Sequence, residues 1–375
     1  MADGLGVYIH WPFCAAKCPY CDFNSHVVSQ VDQTRWLRAF QSEIQRMGRE
    51  LREKRVETVF FGGGTPSLMA PETVHGILDE IRKTWATAPN IEITLEANPT
   101  SVEANRFRGY ADAGVNRISM GIQAMNDADL KRLGRLHSVA EARTAFDTAR
   151  KIFDRVSFDL IYARQDQTLD DWRKELREAT AMAVDHFSLY QLTIEPGTRF
   201  GDLYKRGKLR GLPSPDLGAD FYELTQEETE RAGLPAYEIS NHARPGAESR
   251  HNLIYWNYGD YIGLGPGAHG RFVSRETKWA TETQLAPAVW LKDAERDNGE
   301  SLRQAVTAEE QFEETVMMGL RLTDGLPLEK LDDGLNQSNL RDLIDSGYLA
   351  RTNTKLKATS KGRPVLNRLI EMLLT

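Results

Sequence analysis

Short β-rich runs alternate with amphipathic helical segments as far as residue 192, and this alternation leaves the chain few folds. The runs are LGVYIH (5–10), VETVFF (56–61), IEITLE (91–96), VNRISMG (115–121), VSFDLIY (156–162) and HFSLYQL (186–192). Each is rich in Val, Ile, Phe or Tyr and has the length of a strand. Between them, Trp36, Phe40, Ile44, Met47 and Leu51 recur at steps of three and four, which puts them on one helical face. Residues 71–84 open with Pro71 at a first helical position and place Val74, Ile77, Leu78 and Ile81 together. Segments 101–113, 138–151 and 168–184 behave the same way. Strand–helix alternation predicts right-handed βαβ units and a parallel sheet. Periodicity does not choose between an open six-stranded sheet and a partial barrel, and no short fixed repeat is present.

The length of 375 residues allows two to three domains, or one barrel with an appendage. After about residue 245 the rhythm changes. HNLIYWNYGDYIGLGPGAHGRF (251–272) is aromatic and Gly-rich. Helices are expected over 308–321 and 336–346, then an alternating stretch over 348–357 and a last apolar helix with Val365, Leu366, Leu369 and Met372. This order suggests a winged-helix-like unit. The expected divisions are 1–245, a connecting segment 246–300 and a C-terminal unit 301–375.

The composition, 41% hydrophobic and 27% charged, argues against wholesale disorder. No apolar run approaches the ~20 residues that span a bilayer. The start MADGLGVYIHWPF lacks a secretory pattern, so a cytoplasmic location is expected. A net charge of −7 argues against a general nucleic-acid surface. The tail does carry Arg351, Lys355, Lys357, Lys361, Arg363 and Arg368 against Glu371. A basic wing could meet phosphates, but a solvated face is the preferred reading and no nucleic-acid partner is expected.

All three cysteines, Cys14, Cys18 and Cys21, fall within eight residues. An odd, tightly spaced set is a poor disulfide framework and points to metal or redox chemistry. Zinc would need a fourth ligand, with His10 or His26 available. An iron–sulfur cluster held by three thiolates would leave one iron open.

C-x3-C-x2-C after a first strand, with Tyr20 just before the last cysteine, resembles the radical S-adenosylmethionine (SAM) superfamily. The string YIHWPFCAAKCPYCDFNSH is similar to the oxygen-independent coproporphyrinogen III oxidase-like group, and within it to the haem-chaperone branch. The resemblance covers most of the chain. It implies a partial (β/α)6 barrel with a C-terminal helical, winged-helix-like domain. It also implies a [4Fe–4S] cluster on Cys14, Cys18 and Cys21, with SAM on the open iron.

FFGGGTP (60–66) lets backbone approach a ligand closely, and lacks the Lys-Ser/Thr of a P-loop. By the resemblance, Gly63, Gly64 and Thr65 meet SAM, as do Tyr8, Tyr20, Glu96, Gln123, Arg135 and Asp159, with Gln191 reaching it as well. Glu96, Gln123 and Asp159 stand at strand ends, where parallel barrels build their sites. Arg135 suits a carboxylate. The family's DLIYGLP stretch reads DLIYARQ here, with Ala163, Arg164 and Gln165 substituted.

The oxidases of this group carry a fourth cysteine where this chain has Phe23. The chaperone branch carries HNxxYW, here His251, Asn252, Tyr255 and Trp256. A haem takes a His ligand and aromatic walls, so these four are candidate haem residues, with His242 and His269 competing. The resemblance implies a chaperone that carries haem to respiratory-chain apoproteins. The alternative is an oxidase that decarboxylates coproporphyrinogen III. Productive SAM cleavage, peripheral membrane association and a homodimer stay open at this level.

Overall fold

The computed structural model describes residues 4–331 and 334–375. Six parallel strands follow the expected runs: Gly4–Trp11, Arg55–Gly63, Ala86–Ala97, Arg117–Gln123, Arg155–Tyr162 and His186–Gln191. They are hydrogen-bonded in sequence order. Helices Gln33–Glu50, Pro71–Thr84, Val139–Arg150 and Leu169–Met182 return the chain between them. The expected helix over 101–113 is instead two short pieces, Ser101–Ala104 and Phe107–Ala113.

The two faces of this sheet differ in chemistry, and that difference decides between barrel and open sheet. On one face lie Val7, Ile9, Val59, Phe61, Ile93, Leu95, Ile118, Met120, Phe158 and Leu160, all buried against the helices. The other face carries Tyr8, Thr58, Thr94, Glu96, Arg117, Ser119, Ser157, Asp159, His186 and Ser188. Register aligns Tyr8 with Phe60, Glu96 with Ser119, Ser119 with Ser157, and Asp159 with Ser188. An open doubly wound sheet would be apolar on both faces. Here the helices cover one face, and the polar face lines the hollow of a curved, unclosed barrel.

Residues 241–305 extend both edges. Asn241–Ala243 pairs antiparallel with the sixth strand. Asp260–Leu264 pairs parallel with the first, and two antiparallel hairpin strands and Glu300–Ala305 continue from it to make eleven strands. The sequence reading missed Asp260–Leu264 because its glycines and tyrosines mask strand alternation.

The C-terminal residues have their own apolar core of Val316, Leu320, Leu340, Leu343, Leu356, Leu369 and Leu373. Helices Ala308–Gly319, Gln337–Asp345 and Leu366–Leu374 surround a three-stranded sheet of Leu326–Pro327, Leu349–Arg351 and Lys355–Ala358. This is the helix-and-wing arrangement expected. The tail's basic residues are dispersed: Arg363 is buried and donates to Glu238 O at 2.6 Å. Lys361 lies over the Tyr348 ring, and Arg368 pairs with Glu371. No helix among the described residues is long and apolar enough to cross a membrane.

Candidate functional site

The first strand delivers the chain into the cysteine loop at the carboxyl end of the barrel. The loop is pinned from several sides. Gly64 N–H donates to Trp11 O at 2.7 Å and Thr65 N–H to Phe13 O at 2.8 Å. Phe200 N–H donates to Pro19 O at 2.8 Å. Gly64 has no room for a side chain, since a Cβ there would lie 2.7 Å from Phe13 O. Gly63 adopts φ +106°, and a Cβ would strike the His10 ring. GGGTP is therefore a close-packed shelf under the cysteine loop.

Two sulfurs already receive donors. Thr65 Oγ1 lies 3.4 Å from Cys14 Sγ, and Arg135 Nη1 donates to Cys18 Sγ at 3.4 Å. Burial pushes the Cys14 and Cys21 thiols up. Among the described residues, no three His, Cys, Asp or Glu side chains converge tightly enough to hold a single metal ion. His10, a zinc-ligand alternative from the sequence, bonds Tyr8 OH and Asn24 O instead. His26 turns to Asn24. Three thiols on one loop, with no fourth protein ligand beside them among the described residues, suit a cluster with an open iron better than a closed zinc site.

Arg135 ties the loop to the strand ends. Its Nη2 donates to Asn98 Oδ1 at 2.5 Å and to Gly121 O at 2.8 Å. Tyr20 also lies against it. Its Nε is buried with no partner among the described residues, a donor left for a ligand. Asn98 in turn donates to Thr65 Oγ1 at 3.3 Å.

Deeper in the hollow, Glu96 and Asp159 face each other across the Ser119–Ser157 level. Burial, then the Asp159 charge, pushes Glu96 up to about 8, offset by the Gly63 N–H. Burial raises Asp159 to about 6 despite the Ser188 hydroxyl. Neither meets a basic side chain at ion-pair distance among the described residues. Two such carboxyls hold protons at neutral pH and would lose them to solvent when a cationic ligand binds. Tyr8, whose phenol burial pushes up, and Gln123 at φ +74° stand partly accessible on the same wall.

These residues fit the groups that the sequence implies. The shelf of Gly63, Gly64 and Thr65, the free Arg135 Nε and the acidic pair offer complementary contacts to a ligand with a carboxylate and a positive charge.

Gln191 departs from expectation. Strand parity puts it on the outward, helix-facing side, where a Cβ on Gly218 would lie 2.9 Å from its Nε2. Tyr190 takes the inward place beside Asp159 and Ser188. Asn98 was likewise missed. Two-residue stepping from Ser188 and Glu96 finds both.

The HNxxYW residues lie on the amino-terminal side of this site, with the His251 ring 6.5 Å from that of Tyr8. They sit on helix Arg250–Trp256, capped by the Ser249 side chain. His251 is fully buried, with Nδ1 2.7 Å from Thr58 Oγ1 and Nε2 2.6 Å from Tyr255 OH. Its ring stacks on Phe60 at 5.2 Å. Burial lowers its pKa to about 3, so the ring is neutral, with one nitrogen donating and one accepting. His251 N–H donates to Glu92, which pairs with Arg155. Arg117 donates to Ser157 Oγ and His186 Nδ1 beside them. This network closes the floor. As folded, both His251 ring nitrogens are engaged, by the Thr58 and Tyr255 hydroxyls. Trp256 Nε1 is buried without a partner among the described residues, with Arg321 6.0 Å from its ring. Asn252 sits by the Tyr237 hydroxyl. Of the competing histidines, His242 is buried and held neutral, its pKa lowered by burial to about 3, whereas His269 is exposed near Glu282.

The family model of the Radical SAM superfamily matches residues 8–179, and that of the HemN C-terminal domain matches 306–365. The heme chaperone HemW of Haemophilus influenzae is 39% identical over 99% of this chain and 98% of its own length. The chain belongs to the HemW family of radical SAM proteins. Within this family, the HemW of Escherichia coli K12 is 36% identical over 99% and 98%. Mitochondrial radical S-adenosyl methionine domain-containing protein 1 of Bos taurus is 37% identical over 98% and 87%. In fold, this HemW-family chain matches the coproporphyrinogen III oxidase HemN of E. coli, a radical SAM enzyme. The TM-score is 0.84 at 21% identity, covering 99% of this chain and 90% of that one.

Proposed function

We propose that the chain is a haem chaperone that binds a [4Fe–4S] cluster and SAM and carries haem to respiratory-chain apoproteins. The observation behind it is similarity over nearly the full length to proteins named heme chaperone HemW. The loop agrees with this reading, because Phe23 stands 60% exposed where the oxidases carry a fourth thiol. Cys14, Cys18 and Cys21 would hold the cluster, which supplies an electron to SAM when both are bound. Arg135 would bond the SAM carboxylate. Glu96 and Asp159 would balance its positive charge, and Gly63–Thr65 would receive its methionyl end. Three free thiols in one loop suit the reducing cytoplasm, where we place the protein.

The fold it shares with HemN supports one alternative, coproporphyrinogen III oxidation. An anaerobic assay with coproporphyrinogen III, SAM and a reductant separates the two. The chaperone reading expects stoichiometric haem uptake and transfer to an apo-cytochrome without porphyrin turnover. Protoporphyrinogen formation at a catalytic rate would overturn it.

A further inference from the structure

We infer that His26 is the axial ligand of the carried haem, on an exposed platform beside the cysteine loop; this rests on the haem-carrier reading above.

The tautomer is set by the neighbours. Asn24 Nδ2 donates to Pro266 O and to Leu285 O, both at 2.9 Å. Two carbonyl acceptors on the nitrogen fix which way the amide faces, so Oδ1 is the atom turned to His26. His26 Nε2 lies 3.1 Å from that Oδ1. An amide oxygen only accepts, so Nε2 carries the proton. Nδ1 therefore keeps its lone pair, and no other bond to the ring exists among the described residues. Metal-binding imidazoles are oriented this way, one nitrogen donating to a fixed oxygen and the other facing the metal. The clamp is tight: a Cβ on Gly267 would lie 2.6 Å from Asn24 Nδ2.

The surroundings suit a flat apolar ligand. Phe23 and Val28, exposed by 60% and 40%, stand on either side of the Asn24–His26 segment in the chain, and Leu285, exposed by 66%, meets Asn24 through its carbonyl. Large apolar side chains grouped in water mark a binding surface. Lys17, whose Nζ reaches Ser25 O at 3.4 Å, supplies a cation at its edge for a propionate. An exposed platform also allows hand-off, which the sealed His251 floor does not.

The test is titration of the full-length, cluster-reconstituted protein with ferric haem, followed by the Soret band. His26→Ala is expected to weaken binding at least tenfold and to lose the imidazole-ligated spectrum. Phe23→Ser with Leu285→Ser should weaken binding several-fold at an unchanged Soret position. His251→Ala and His269→Ala should stay within twofold of wild type. Wild-type affinity in H26A, or loss of the imidazole spectrum in H251A or H269A alone, overturns the assignment while leaving the carrier reading intact. If the wild type takes up no haem, both fall. If H26A loses its cluster, the Phe23/Leu285 variant decides: weakened binding supports the platform and unchanged binding overturns it.

Discussion

Thr58 Oγ1 and His251 Nδ1 lie 2.7 Å apart on the barrel floor, although 193 positions separate them in the chain. That bond makes the most conspicuous histidine of the C-terminal half a structural element. His251→Ala would leave Thr58 and Tyr255 unpaired and open a void beneath Phe60. A loss of about 3 kcal/mol of stability is expected, read by denaturant unfolding. Unchanged stability with abolished haem uptake would refute the structural role.

Glu96 and Asp159 make the apo protein pH-sensitive. Their folded pKa values, about 8 and about 6, stand above the ordinary 4.5 and 3.8. Between those limits the native state holds protons that the unfolded chain has released, so stability falls as pH rises. Glu96→Gln should remove most of the fall between pH 5 and 8. At pH 8 it should stabilise the apo form by on the order of 2 kcal/mol, allowing for the water that reaches the pair. Thermal melts across that range check it, and the same variant should bind SAM more weakly.

Arg135 contacts Cys18, Asn98 and Gly121 through one guanidinium. Lysine cannot reproduce this fork. Arg135→Lys should therefore lower SAM affinity at least tenfold, about 1.4 kcal/mol, with the fold kept. Calorimetric titration on the reconstituted protein, with circular dichroism as the fold control, measures both.

Gly64→Ala should cost cluster content before it costs fold. The new Cβ meets Phe13 backbone at 2.7 Å, which only a shift of the cysteine loop relieves. Iron and sulfide per chain after anaerobic reconstitution should drop several-fold. Normal loading would show that the shelf does not position the loop.

Arg164 replaces a residue that the family's pattern gives as leucine, yet it is buried between Asp129 at 2.8 Å and Glu175 at 2.6 Å. Arg164→Leu would leave the buried Glu175 carboxylate without its cation and Asp129 with only Arg132 at 3.9 Å. A loss of about 3–5 kcal/mol is expected despite the return to the family residue. Leucine tolerated without loss of melting temperature would contradict this.

The strands, most helices and the cysteine loop were legible in the chain itself. Each is written in near neighbours: alternation in VSFDLIY, stepping of three and four in Trp36–Leu51, two spacings in C-x3-C-x2-C. Glu96, Asp159 and Arg135 were legible only through family resemblance, since a carboxylate at a strand end reads equally as surface. Folding decided what depends on pairing distant segments. Gln191 and Tyr190 exchanged places because strand parity is set by register with Tyr162 and Asp159. The strand Asp260–Leu264 gained its identity from the free edge of the first strand, nearly the whole barrel earlier in sequence. His251 and Tyr255 of HNxxYW joined the floor of the barrel once Thr58 and Glu92 met the histidine. Local spacing thus determined which groups the chain offers to a cofactor, and tertiary structure decided which of them still have a free atom to give.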